Sequence, residues 1–459
     1  MRLFKLIFNS ECRILVRSSI FLFSMLFFLI LSGYAVYYGH SLIEAQKITI
    51  EKVRLDNETR FQKLKSSIDR DTLPNVVGNR LFRIVSNPPS ALAAFTIGQR
   101  DILPFYGTIR YWALSRQSLV TESANPEKLV AGNFDLAFVF IQILPLLIIG
   151  LGYNLISSER ETGTLSMVLS FPITVQKILL YKLLTRFIII LSAVIIVIII
   201  GCIYSNIAIN KDLLKWSTIV VAYILFWFCV VYFLNTLGKS SSFNALTSLS
   251  IWLLLVFLIP AAINIYVGIR YPMSSKQELS QAIRHEYEEL WKKYDDATHR
   301  NEVVLAFGNK YPAYKSDTSY NWSDKYMLAQ YDNYDQKLMP LLEKHQDEAL
   351  KREALTAAIG RFNPVVSAQL LMNRIAQTDV TSHAYFQKRI NIFHAELKSL
   401  FYAKVFSDSK FSVDELNYIP TFKAARTYSN IQYFEYVMNI LLTLILILTY
   451  PLSRKNNRK

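Results

Sequence analysis

The sequence predicts an all-α polytopic membrane protein, with six transmembrane helices and a mainly helical extracytoplasmic domain built from two insertions. Three observations carry that expectation. Apolar residues make up 52% of the 459-residue chain and charged ones 19%, against roughly 25% charged in an average soluble domain. The apolar excess gathers in six stretches, each near the roughly 20 residues that cross a bilayer as a helix. The two long polar segments between them carry apolar residues at helical spacing.

Residues 1–19 read as a cytoplasmic segment in which Arg2, Lys5, Arg13 and Arg17 precede the first span, 20–38. That run is longer than a secretory h-region, and its end at Tyr34, Tyr37 and Tyr38 is a poor small-residue cleavage site, so a retained helix is expected. Residues 39–133 form the first extracytoplasmic segment. It opens as a charged helical stretch over 41–70 and turns irregular through 87–90 and 101–105. The second span is 134–153, followed by a cytoplasmic segment, 154–186, and by spans at 187–209, 217–237 and 246–267. The run 187–201 has no polar stripe at any helical period, which a soluble helix would need. Residues 268–432 form the second extracytoplasmic segment, 433–450 the sixth span and 451–459 a basic cytoplasmic tail.

Orientation follows from the flanks. With Lys177, Lys182 and Arg186 between the second and third spans and Arg454, Lys455, Arg458 and Lys459 closing the chain, the positive-inside rule puts both termini in the cytoplasm. The net charge is +15, yet within 270–430 the 22 Lys/Arg residues nearly balance 20 Asp/Glu. Much of the excess therefore sits beside the membrane, facing anionic lipid headgroups, and no nucleic-acid partner is expected. Cys12, Cys202 and Cys229 lie in the tail or the spans. That excludes a disulfide framework, so the outer segments must fold on packing alone.

In the second insertion Leu279, Ile283, Tyr287, Leu290, Tyr294 and Ala297 recur at spacings of three and four, and Phe386, Ile390, Phe393, Leu397 and Phe401 repeat the pattern with Lys398 on the opposite face. Residues 325–358 are helix-like, with Pro340 expected to break or kink them. Such stripes need burial, which points to one composite domain made from both insertions.

The segment after the second span reads Ser158-Glu159-Arg160-Glu161-Thr162-Gly163-Thr164-Leu165, then Val168, Leu169, Pro172 and Ile173, then Lys177 to Lys182. Glu159 and Glu161 at a helix start complement the dipole. Leu165, Val168 and Leu169 make a small apolar knob, and Pro172 stops the helix. This acidic pair, Gly-Thr-Leu, Pro-Ile break and Lys resemble the cytoplasmic coupling segment of ABC type-2 permeases. The resemblance implies that Glu159, Glu161, Gly163, Thr164, Leu165, Val168, Leu169, Pro172 and Lys182 couple the chain to a separate ABC ATPase, which binds the ATP and Mg. It also implies a second permease copy or a paralogue as dimer partner, export as the task, and the bacterial inner membrane as the location.

Residues 362–393, with Pro364, Ser367, Thr378, Asp379, His383 and Phe386, are similar to the outer region of a poorly characterised permease subfamily with large insertions after the first span and before the last. Ala376-Gln377 stands where that pattern has Gly. Pro88, Pro89 and Ser90 with Gly98, Gln99, Arg100 and Asp101 fit the same subfamily.

Other chemistry is disfavoured. Gly238-Lys239-Ser240 resembles the end of a Walker A loop, but Phe233 stands where the first glycine belongs. The six histidines lack metal-ligand spacing, no serine sits in a G-x-S-x-G turn, and no acid lies at mid-span to couple protons. The chain is therefore expected to be no enzyme, to hold no cofactor and to bind no metal. Two rival readings stay open, namely a mechanotransmission permease that drives a periplasmic partner, and an ATP-independent sensor or scaffold.

Overall fold

The computed structural model describes residues 2–68, 72–117, 133–170, 173–273, 276–293, 296–315 and 322–425. The sixth span and the basic tail of the sequence reading lie outside them. Helices dominate. Short α1 (Arg2–Arg17) meets α2 (Ser19–Ser66) at Ser18, whose hydroxyl accepts from the Phe21 amide. The first insertion continues with α3 (Pro74–Arg80), an antiparallel pair of short strands, β1 (Arg83–Ser86) and β2 (Tyr106–Ile109), and α4 (Leu114–Gln117). Helix α5 runs over 136–152 through a π turn at Val139–Ile143. Then come α6 (Ser157–Glu161), α7 (Leu165–Val168), α8 (Val175–Tyr204), α9 (Lys211–Thr236) and α10 (Ser241–Arg270). The second insertion holds α11 (Lys276–Lys292), α12 (Ala297–Lys310), α13 (Trp322–Gly360), α14 (Pro364–Ile375) and α15 (Val380–Phe406).

Among the described residues five helices are long and apolar enough to cross a membrane: α2, the helical run containing α5, α8, α9 and α10. Their apolar windows suit a multi-pass membrane protein. Capping, more than hydropathy, decides where they stop. The apolar run 187–209 ends as helix at Tyr204, because Asn206 takes a left-handed backbone (φ 54°) and Asn210 accepts from the Leu213 amide to start α9. At its other end α8 begins at Val175, so 175–186 is helix and not part of a loop.

Three features go beyond the sequence expectation. The first span and the charged stretch after it are one uninterrupted 48-residue helix, α2; no Gly or Pro between His40 and Ser66 interrupts it. Pro340 breaks nothing and sits inside the 39 residues of α13. The stripe from Leu279 to Ala297 is cut, since α11 stops at Lys292 and Asp296 caps a new helix by accepting from the Thr298 and His299 amides.

The polar segments pack into one body. Leu64, Val77, Leu81 and Tyr111 of the first share a core with Phe307, Tyr326, Phe401, Tyr402 and Phe411 of the second. Phe386, Ile390, Phe393, Leu397 and Phe401 are all buried, as their spacing requires. Lys398 does not face open solvent as expected; it is mostly buried and forms an ion pair with buried Asp332.

Helix α14 departs furthest from the sequence reading. Val365, Ala368, Leu371, Met372 and Ile375 join the core of the apolar bundle and not that of the polar body, packed against α9. Asn363 caps α14 through the Val365 amide at 2.9 Å and donates to the Leu255 carbonyl of α10, also at 2.9 Å.

Loop 88–101 enters the same bundle from the first insertion. Ala93, Phe95, Thr96 and Ile97 have no exposed surface. Glycines admit them, for a Cβ on Gly39 would stand 1.9 Å from the Ala94 carbonyl oxygen and one on Gly201 2.8 Å from the Phe95 ring. The Phe95 ring lies 5.5 Å from that of Trp216, whose Nε1 donates to Thr96 Oγ1 at 2.9 Å. Asp135 accepts from the Ile97 and Phe138 amides, each at 2.8 Å. From the other side, the Gln99 amide donates to the Thr378 carbonyl at 3.0 Å and Ser90 Oγ to the Ala376 carbonyl at 2.5 Å. The two outer motifs noticed in the sequence, 88–101 and 376–379, thus meet at one joint between body and bundle.

Candidate functional site

The segment between α5 and α8 is short, and each of its charged side chains is engaged. In α6 successive side chains point to different neighbours. Glu159 forms an ion pair with Lys182 near the start of α8. Glu161, two residues on, accepts from the Ser241 amide at 2.7 Å and the Ser241 hydroxyl at 2.8 Å. It thereby anchors the first turn of α10, where a carboxylate also suits the helix dipole. Between them Arg160 donates to the Gly238 carbonyl at 2.5 Å. Gly238 (φ +71°) and Ser240, the cap of α10, form a helix-to-helix turn, which accounts for Gly238-Lys239-Ser240 without a nucleotide.

The acidic pair is therefore committed within the chain. Lys182 reaches a second carboxylate, Glu11 of α1, at 3.3 Å, and Glu11 in turn accepts from Arg186 at 3.1 Å. Only 2% of Glu11 is exposed. Charges buried this far from water persist when they alternate in sign and share hydrogen bonds, which the run Glu159, Lys182, Glu11, Arg186 does. The Phe4 ring meets Tyr181 edge-on at 5.5 Å and completes the seam between α1 and α8.

Gly163 ends α6 in the left-handed region (φ +75°), where a side chain would be strained. The hydroxyls of Thr162 and Thr164 turn back onto the Ser158 and Glu159 carbonyls at 2.9 and 3.2 Å. Leu165 is half-buried against the bundle and Leu169 is 40% exposed. Met167, which the sequence reading passed over, is the most exposed apolar side chain of α7 to be described, at 76%. The Val168 side chain and Pro172 lie outside the described residues.

So the structure gathers Glu159, Lys182 and, from α1, Glu11 into one charged seam, sends Glu161 to α10, and leaves Met167 and Leu169 facing outward. Residues 276–425, from α11 to beyond α15, match the family model described as Domain of unknown function (DUF3526). No curated protein and no solved structure matches the chain. The match covers α14 and its turn into α15 together with the second insertion's share of the body, and the coupling-like segment at 158–182 lies outside it.

Sequence reasoning missed Glu11, Arg160, Ser241 and Met167. One signal was available for Glu11, which is the sole acid among the four cations of the first 19 residues. Its partners lie 171 and 175 positions away, beyond any local pattern. Among the described residues no cluster of His, Cys, Asp and Glu could hold a metal ion.

Proposed function

We propose that the chain is the membrane-spanning permease subunit of an ATP-driven ABC exporter of the bacterial inner membrane. The observation that carries this reading is the α6–α7 segment. It is fastened to α8 and α10 by charge and hydrogen bonds, and through Lys182 to Glu11 of α1, and it presents Met167 and Leu169 outward between two apolar helices. A segment held this way moves its neighbours when it is pushed. An apolar knob on a short helix suits a groove on a separate ATPase, which supplies the ATP and Mg chemistry. In this reading each half of a homo- or heterodimer binds one ATPase, both termini are cytoplasmic, and the polar body lies on the far side.

Replacing Met167 by Asp should abolish recovery of the ATPase with the chain while leaving its fold intact, because the side chain is largely exposed. Affinity purification from the native host, with the bound ATPase identified by mass spectrometry, tests this. Normal recovery with both Met167→Asp and Leu169→Asp would overturn the docking assignment.

A second reading is favoured by α2. One 48-residue helix runs from the bundle into the polar body without a break, a rod of roughly 70 Å at 1.5 Å per residue. Such a rod suits a mechanotransmission permease that works on a periplasmic partner and passes no cargo through its spans. A cargo path between two copies, or a solid interface there, separates the two readings.

A further inference from the structure

We propose that the turn between α14 and α15 is a proton-operated latch, in which Glu353, set with Asp379 against a single Arg374, holds a proton and releases loop 88–101 when it leaves. Glu353 comes from α13, Arg374 from the last turn of α14, and Asp379 is the residue that caps α15. Arg374 lies 3.7 Å from Glu353 and 3.8 Å from Asp379, so two carboxylates share one loosely placed cation. Both side chains are at least nine-tenths buried. Glu353 Oε1 accepts from Thr381 Oγ1 at 3.3 Å, and Asp379 Oδ1 from the Ser382 hydroxyl. The second oxygen of each, Glu353 Oε2 and Asp379 Oδ2, is buried with no hydrogen bond.

Two buried anions beside one cation leave a charge uncompensated, and a proton on Glu353 is the least costly remedy. Burial, and after it the charge of Asp379, push the Glu353 carboxyl up to about 7; Arg374 and the hydrogen bonds from Thr381 pull the other way. The sign follows. A carboxyl raised above its ordinary 4.5 favours the folded arrangement while protonated, and that contribution is lost as pH climbs through about 7. The residue before Asp379 is Thr378, whose carbonyl holds the Gln99 amide. Like-charge repulsion at Asp379 thus acts one peptide bond from the joint between body and bundle. This latch stands whatever the bundle carries, and under the permease reading it makes the joint tighter on an acidic outer side.

Hydrogen exchange of the full chain in detergent micelles, read by mass spectrometry over peptides covering 90–101 and 375–383, tests the latch between pH 6 and 8. Protection normalised for the intrinsic rate should fall about tenfold in wild type as the proton is lost. It should stay high and flat in Glu353→Gln. If that variant is not recovered folded, Asp379→Asn takes its place, with a shallower fall than wild type, since burial of Glu353 remains while the repulsion is gone. Flat protection in wild type, or an unchanged slope in the variant, overturns the proposal. A slope present in every other peptide as well would make the effect global and overturn it too.

Discussion

Glu11 touches both Lys182 and Arg186 with almost none of its surface in water, and the three cannot be altered independently. Glu11→Gln leaves Lys182 with Glu159 alone and takes from Arg186 its carboxylate partner, and should cost about 3 kcal/mol, in the range for breaking a buried pair. Glu159→Gln should cost less, because Lys182 keeps Glu11 as a partner. Denaturant unfolding in micelles, followed by tryptophan fluorescence, gives both values, and equal losses would refute the ranking. A loss of ATPase coupling in a Glu159 variant would therefore report a weakened seam as much as a lost contact with a partner. In the polar body, Phe393 is 4% exposed and meets Phe422 edge-on at 5.7 Å, so Phe393→Asp should destabilise by about 4 kcal/mol. Lys398→Asp should also be harmful, by about 2 kcal/mol, since it sets an acid against buried Asp332. Limited proteolysis should rank wild type above the Lys398 variant and that above the Phe393 variant.

At the level of elements, Pro340 in α13 removes one backbone donor and crowds the preceding turn. Pro340→Ala should therefore raise the melting temperature, by an amount corresponding to about 1–3 kcal/mol; a lower melting temperature would mean that the proline shapes the helix against its neighbours. Apolar length was legible in the sequence because a bilayer demands it, and five of the expected spans correspond to helices long and apolar enough to cross. Helix ends were not legible, because Asn206, Asn210 and Asp296 decide them through single backbone angles and caps that hydropathy ignores. Helix α14 escaped because its 12 residues are too few to span a membrane, and so read as part of the outer domain. The residue types of the coupling-like segment were legible at 158–165. Their partners were not, as Lys182, Ser241 and Glu11 arrive from distant stretches of chain that only the tertiary fold brings near.

For the whole molecule, the proposed permease reading puts α6–α7 and the α8–α9 turn on opposite sides of the membrane, as the basic flanks suggest. Reporters inserted after Ser166 and after Asn206 should give opposite signals, the first cytoplasmic; matching signals would rule out the arrangement. A reporter after Lys459 should agree with the first. The unbroken α2 also makes the height and the azimuth of the polar body depend on each other. One alanine inserted near Ile50 would raise everything beyond it by about 1.5 Å and turn it by about 100°, carrying Asn57 away from the Phe82 carbonyl that it now reaches at 2.8 Å. Seven inserted residues would restore the azimuth to within about 20° while lifting that end by about 10 Å. Whatever meets the outer face of this protein is thus met at a distance and a bearing written in the number of residues in one helix, so length changes there should be tolerated in sevens and not in ones.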